Sequence, residues 1–578
     1  MGECLAGLDS VWFEKGRSVK QVTRLLLLVI LVTAFFLRLA GIDFGLPHLY
    51  HQDEPIVVNH ALAYGTGDLH PHFFKLPPLL SYVLCVIYVV YYLILHCVSG
   101  VSTDSFAMLF FKDPSIFYIL GRLFFGVLLG TASVAVVYRI GRELFNEATA
   151  LLAAALLASC FLHVRDSHYI YADIPMMFSI LMTFSALTDF TKQRKDRAYW
   201  GACVWAGIAV AFKYIAAPIA LPLAVVMFNR PQSGTNAARR VLAGLFVMAA
   251  TYAVLNPFSF FDPSFFVQEI RQQAHSESAM PFFYHLTYSL FEGGGRLVVC
   301  VGIAGLAWGW FKTPSLRWLF IFPIVFYLMI SVFSQEYERY AMPVFPFLCL
   351  SAAWMVDRLA KVVRHPAHRF IVLGMAAAIL VFPTLQKSLQ VDRLFLSADT
   401  RTVAARWIES HLPANTVILL DHSFFSPRLC QTKRQLEDKI AAVSQNDLQR
   451  QTKIRKVRMM AQASEGKKAF RIFYLNEEGL DRPSFTMWSP LLAPNVEAIR
   501  SAGVEYFVRY RYPGETDFFE RFMRDQVELV KTFSPYKSPQ KIFTEDNRAH
   551  VALPFLSREL FSRLSSGPYL EIYRMKSH

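Results

Sequence analysis

The chain has 578 residues, of which 54% are hydrophobic and 18% charged, with a formal net charge of +14. That balance excludes an ordinary soluble globular protein, which needs more polar surface. The positive surplus does not point to nucleic acid. In the apolar part of the chain most Lys and Arg lie in short loops between hydrophobic runs, the pattern of cytoplasmic loops.

The elements follow in chain order. Lys15, Arg17, Lys20 and Arg24 precede the first apolar run, and no small-residue cleavage site is evident. Residues 22–40 therefore read as a retained first span with a cytoplasmic N-terminus. Further runs at 79–98, 117–139, 147–163, 174–190, 198–211, 214–229, 239–256, 296–311, 316–333, 341–357 and 369–386 bring the total to about twelve by hydropathy. Five loops with clustered Lys/Arg (138–149, 189–200, 229–240, 311–318 and 357–369) can all face the cytoplasm only if 79–98 makes no single crossing. That run is expected to lie on the outer surface, re-enter or form a hairpin, which leaves about eleven crossings. The alternative is an ordinary span with one basic loop misassigned. The expected architecture is a polytopic all-α membrane domain over 1–389 and a soluble α/β domain over 390–578. The second domain is expected to be extracytoplasmic. A multi-pass protein of a bacterial inner or plasma membrane is the expected setting.

Four outer segments carry candidate chemistry. Residues 50–80, "YHQDEPIVVNHALAYGTGDLHPHFFKLPPLL", hold His51, Asp53, Glu54 and Lys75 directly after the first span. An acid in a wet pocket at this depth suits a general base, and of two adjacent carboxylates one can face a cavity. The blander reading of Asp53 is a cap for a helix beginning near Pro55. "HVRDSHYIYADIP" (163–175) supplies Arg165, His168 and Asp173, and Asp173 too could simply cap. "SQEYERYAMPVFP" (334–346) places Arg339 and Tyr340 at a span mouth, and the planar fork of Arg suits a phosphate. The long aromatic loop 256–285 carries His275 and Glu277 as polar candidates. Lys112 reads as a snorkelling anchor. Only His70 and His72 have metal-ligand spacing, so no metal site is expected. Eight cysteines, mostly in apolar runs, form no disulfide framework.

These segments together resemble the GT-C membrane glycosyltransferases, and within them the protein O-mannosyltransferase and aminoarabinose transferase group (families 39 and 83). The likeness rests on 50–82 and on "LGRLFFGVLLGTASVAVVYRIGRELFNEATALLAAALLA", "HYIYADIPMMF", "GIAVAFKYIAAP", "ERYAMPVFP" and "DTRTVAARWIESHLPANTVILL", in that order, over about 20–420. The resemblance implies a sugar donor on a polyprenyl phosphate, used outside the cytoplasm. It implies inverting transfer to a hydroxyl of a glycan, lipid or protein acceptor, without nucleotide or divalent metal. Carried over, Asp53 is the base with Glu54 beside it, and Asp173 is the second-loop acid flanked by Arg165 and His168. Arg339 and Tyr340 match the segment near the lipid phosphate, and Lys75 sits where the group often has a Lys before Pro; these three and Arg165 are the expected phosphate ligands, and His51, His168, His275 and Glu277 the expected substrate-binding residues. A polytopic lipid-linked-sugar transporter or flippase is the alternative, and it would call for inverted repeats that are not evident.

The charged remainder, 390–578, reads as helix then strand, repeated. Helices are expected over "DTRTVAARWIESHL", about 431–464 and "NVEAIRSAG", and strands over "TVILLD", "AFRIFYL", "VEYFVRYRY" and "PYLEIYRMK". A small sheet carrying helices follows.

Overall fold

The apolar runs fold as helices, and their lengths decide which can cross a bilayer. The computed structural model describes residues 2–51, 53–193, 195–229, 234–274, 282–333, 337–421, 425–442, 450–475, 490–511, 519, 523–538 and 557–576. Among the described residues eight helices are long and apolar enough to cross: Lys20–Leu39, Leu79–Ser99, Ser115–Leu144, Asp173–Gln193, Thr235–Leu255, Pro314–Val332, Glu338–Ala360 and Ala367–His411. A bent pair, His285–Gly294 and Arg296–Lys312, makes a ninth if counted as one span. The runs at 147–163 and 214–229 fold as the shorter helices Glu147–Ser159 and Tyr214–Phe228. At about 1.5 Å per residue neither reaches the roughly 30 Å hydrocarbon core. Hydropathy alone does not see where a helix stops, which explains the larger count expected from it.

Residues 79–98 do not form a hairpin. Leu79–Ser99 is one continuous helix with exposed Val86, Val89, Val90, Leu93, Ile94 and Val98, and it has the length and composition of a span. A short helix, Thr103–Lys112, follows after Gly100, with Ser102 accepting the Ser105 N–H as its cap.

The chain divides into two compact units. The first comprises 1–42, 63–83 and 121–392. Its helices approach closely where side chains are small. A Cβ on Gly305 would stand 2.3 Å from the Ser351 carbonyl oxygen, and one on Gly302 would stand 2.8 Å from that of Leu348. These glycines let helix Arg296–Lys312 lie against Phe345–Ala360, as small residues do between membrane helices. The bent pair turns through 114° at Gly295, whose φ of +85° favours glycine. Lys387 donates to the Glu292 carbonyl (3.0 Å) and to its carboxylate (2.7 Å) beside that corner.

The second unit comprises 43–62, 84–120 and 393–578. Its sheet has the order β3-β2-β1-β4-β6-β5, with β1 Val417–Leu420, β2 Arg471–Leu475, β3 Leu491–Leu492, β4 Tyr506–Arg511, β5 Val527–Phe533 and β6 Tyr569–Met575. Pairing is parallel from β3 through β4 and antiparallel from β4 to β5. Helix Thr400–His411 buries Ala404 and Ile408 against Ile418, Leu420, Ile472 and Ile572 on one face. Ile499, from helix Val496–Ser501, joins Leu419, Phe473 and Phe507 on the other. The expected helix 431–464 is two, Lys433–Ala442 and Arg450–Ala463, and 443–449 lie outside the described residues.

Candidate active site

In the first unit, helix Asp173–Gln193 opens on Asp173, whose side chain is buried. Its carboxylate accepts a hydrogen bond from Lys213 Nζ at 2.7 Å (Oδ1) and stands 3.9 Å from Arg339 Nε (Oδ2). A carboxylate at a helix start is favoured by the unsatisfied N–H groups there, but this one is turned to two cations. Tyrosines surround the two cations. The Arg339 guanidinium carbon lies 4.8 Å from the centroid of Tyr171, 4.4 Å from Tyr337 and 5.9 Å from Tyr340. Lys213 Nζ lies 4.4 Å from the Tyr340 centroid. Rings hold cations by their negative faces without consuming hydrogen-bond donors. Arg339 Nη1 also donates, at 3.4 Å, to the Tyr171 hydroxyl.

Arg165 is held differently. It is buried, donates from Nε to Asp166 at 2.8 Å and from Nη1 to Glu338. Burial opposes its charge, but the two carboxylates outweigh that and raise its proton affinity. Burial likewise raises Asp166, with Arg165 pulling the other way. The triad ties helix Phe161–Asp166 to the turn Glu338–Val344, which carries Arg339. His168 is also buried, with Nδ1 2.9 Å from the Val164 carbonyl and Nε2 2.9 Å from that of Ala40. Burial pushes its imidazole down to about 4 against the pull of those carbonyls. Lys75 is half-buried and makes no ion pair among the described residues.

In the second unit, His51 is buried and its Nδ1 accepts the N–H groups of Asp53 (3.1 Å) and Glu54 (3.3 Å). Helix Glu54–Ala63 starts there, and the Asp53 carbonyl accepts from Ile56 at 3.1 Å. The imidazole of His51 thus takes the N–H of the first helical residue, a duty the sequence left open for Asp53. Glu54 is buried and Asp53 half-buried. His275 and Glu277 lie outside the described residues.

The structure brings Asp173, Arg339 and Tyr340 together and gives Arg165 and His168 internal partners. Lys213 and Glu338 are the additions. Lys213 showed itself only as a cation ending an apolar run. Its partner lies 40 residues away and that of Arg165 173 residues away, beyond any local pattern.

Residues 105–258 match the family model described as dolichyl-phosphate-mannose-protein mannosyltransferase. This segment holds Arg165, Asp173 and Lys213. No curated protein sequence matches the chain. Among solved structures, apo ArnT from Cupriavidus metallidurans superposes with a TM-score of 0.51 at 13% identity, covering 84% of this chain and 95% of that one. The same protein bound to undecaprenyl phosphate gives 0.50 at 15% identity, covering 86% and 96%. The Archaeoglobus fulgidus oligosaccharyltransferase in complex with zinc and sulfate gives 0.48 at 12% identity, covering 95% and 88%. The chain is thus a multi-pass membrane protein with the GT-C fold of membrane glycosyltransferases.

Proposed function

We propose that the protein is a membrane glycosyltransferase that moves a sugar from a polyprenyl-phosphate donor to an acceptor hydroxyl on the extracytoplasmic face, with inversion. The observation that carries this reading is the meeting of two cations at the buried Asp173 carboxylate. Arg339 and Lys213 share one carboxylate among tyrosines, and Lys213 and Asp173 lie in the segment matched by the mannosyltransferase family model. The undecaprenyl phosphate bound by the ArnT neighbour is a ligand of the chemistry such a cation suits.

Charge development dictates the roles. The acceptor oxygen attacks the anomeric carbon from the face opposite the phosphate. Asp53 takes the hydroxyl proton as the new C–O bond forms. The bond from the anomeric carbon to the phosphate oxygen breaks, and its electron pair leaves with the polyprenyl phosphate. Arg339, with Lys213 and Lys75, stabilises the charge that grows on that oxygen. Asp173 orients Lys213 and Arg339. Arg165 acts at one remove, by holding the Glu338–Arg339 turn through Glu338. The leaving group carries a single phosphate, so we assign no step to a divalent metal.

The test is transfer from radiolabelled polyprenyl-phosphate sugars into a native membrane extract, with lipid, protein and polysaccharide products separated. Label that requires the wild-type chain and is absent with Asp53→Asn supports the reading and names the acceptor class. Undiminished label with Asp53→Asn removes Asp53 as base. If no donor is used while lipid-linked sugar still moves between leaflets of reconstituted vesicles, the transporter reading takes its place.

A further inference from the structure

The second unit joins residues 43–62 to the C-terminal sheet and its helices, and the contacts between them are specific. Tyr50 is buried, and the Arg401 guanidinium carbon lies 3.9 Å from its ring centroid. The Tyr50 hydroxyl shares a hydrogen bond of 3.0 Å with Thr402. His48 stacks on the Tyr50 ring at 5.6 Å, and Phe44 meets Phe395 at 4.6 Å. Arg401 is itself fixed. Asp399 caps helix Thr400–His411 by accepting the Arg401 N–H, and both its oxygens accept from the guanidinium at 2.9 Å. The helix start is pinned ahead of β6, because the Thr400 hydroxyl donates to the Pro568 carbonyl and its N–H to that of Ser566. One residue beyond Tyr50, His51 holds the amides of Asp53 and Glu54. The contacts run without a gap from the sheet to the aspartate.

We propose that Arg401 is a positioning residue for Asp53, clamping Tyr50 onto helix Thr400–His411 within the second unit so that the sheet sets where the carboxylate stands. This rests on the reading of Asp53 as the base. It gives the C-terminal unit a task in the reaction without contact to substrate. A bidentate Arg–carboxylate pair against a ring is rigid, since the planar fork loses little freedom on binding. Misplacing a base by an ångström lowers the rate of the chemical step far more than it lowers donor binding.

The experiment uses the full chain in lipid nanodiscs, with variants Arg401→Gln, Arg401→Lys, Tyr50→Phe, Tyr50→Leu and Asp53→Asn. Three quantities are read: turnover with polyprenyl-phosphate sugar in membrane extract, affinity for polyprenyl phosphate alone, and amide exchange of 43–62 against that of β4 and β6. Arg401→Gln is expected to lower turnover about tenfold with donor KM within about twofold, the split of a group that acts on the chemical step. Exchange at Glu54 and Ile56 rises by about tenfold while the sheet stays protected. Tyr50→Phe keeps the guanidinium over a ring and retains most of the rate, Arg401→Lys keeps the charge but not the bidentate fork and retains only part of it, and Tyr50→Leu copies Arg401→Gln. Wild-type turnover in Arg401→Gln overturns the proposal, and so does a loss accompanied by faster exchange throughout the sheet. Should Arg401→Gln fail to fold, Tyr50→Leu decides by the same criteria. An active Asp53→Asn would sink the base assignment alone, and the exchange of 43–62 would still report whether the clamp exists.

Discussion

Lys213 Nζ donates to the Asp173 carboxylate at 2.7 Å, joining the residue that follows helix Asp196–Phe212 to the first residue of helix Asp173–Gln193. Both side chains are nearly withdrawn from solvent. Each charge therefore lowers the cost of burying the other.

Lys213→Met should destabilise the chain by about 3–5 kcal/mol, the usual cost of stranding one member of a buried pair. Asp173→Asn combined with Lys213→Met should recover part of that loss, because neither member of the pair is left as a charge facing an apolar partner, while Arg339 still loses its contact with the carboxylate. Denaturant titration of the four proteins in detergent gives the coupling between them. Additive effects would mean that the pair does not act as one.

Arg165 and Arg339 should separate cleanly. Arg165→Met leaves Asp166 and Glu338 buried without their cation, so its main effect is on folding, seen as low yield and early thermal unfolding. Arg339→Gln leaves Asp173 its Lys213, so it costs less stability than Arg165→Met, and it weakens polyprenyl phosphate binding by about tenfold, the loss of one charge-assisted contact. Calorimetry with polyprenyl phosphate distinguishes the two.

One part of the pH dependence, beside that of the buried His168, follows from His48. Burial, opposed by Asp399 and aided by Arg406, Arg428 and Arg401, holds its imidazole below the ordinary value of 6.5. The folded state then binds fewer protons there than the unfolded chain. The stability this contributes is complete above 6.5 and is lost as pH falls from 6.5 through the lower folded-state value. Thermal unfolding should therefore move to lower temperature between about pH 7 and pH 5, and less steeply in His48→Phe. Equal slopes in the two proteins would remove His48 from the account.

Gly567 tests the join between helix Thr400–His411 and β6. Its φ is +90°, and a Cβ there would stand 2.3 Å from the Thr400 hydroxyl oxygen. Gly567→Ala should cost about 2 kcal/mol or more, through strained backbone and a displaced cap. The shift in denaturant midpoint measures it.

The sequence already showed the membrane unit and four of the six strands among the described residues, because each is written locally as an apolar run or a helix-then-strand alternation. It missed Val527–Phe533, a strand at the sheet edge whose Glu528, Leu529, Val530 and Lys531 are exposed. A strand with a wet face and charged middle reads as loop. Asp53, Asp173 and Arg339 stood out because charge beside apolar runs is rare. That Arg165 is consumed by Glu338, and that Tyr50 lies under Arg401, could not be read. Such contacts join residues hundreds of positions apart, and any cation or ring would look the same in sequence.

The corner at Gly295 bears on how the chain is made. A helix broken at 114° exposes carbonyl groups that lipid cannot satisfy. Here Lys387 serves the Glu292 carbonyl, and Thr384 leaves so little room that a Cβ at Gly295 would stand 2.7 Å from it. Both belong to helix Pro366–Leu396, which leaves the ribosome some ninety residues after Gly295. During biosynthesis the corner must wait for that helix, so the segment 285–312 enters the bilayer in some provisional shape and is finished only when its lysine arrives.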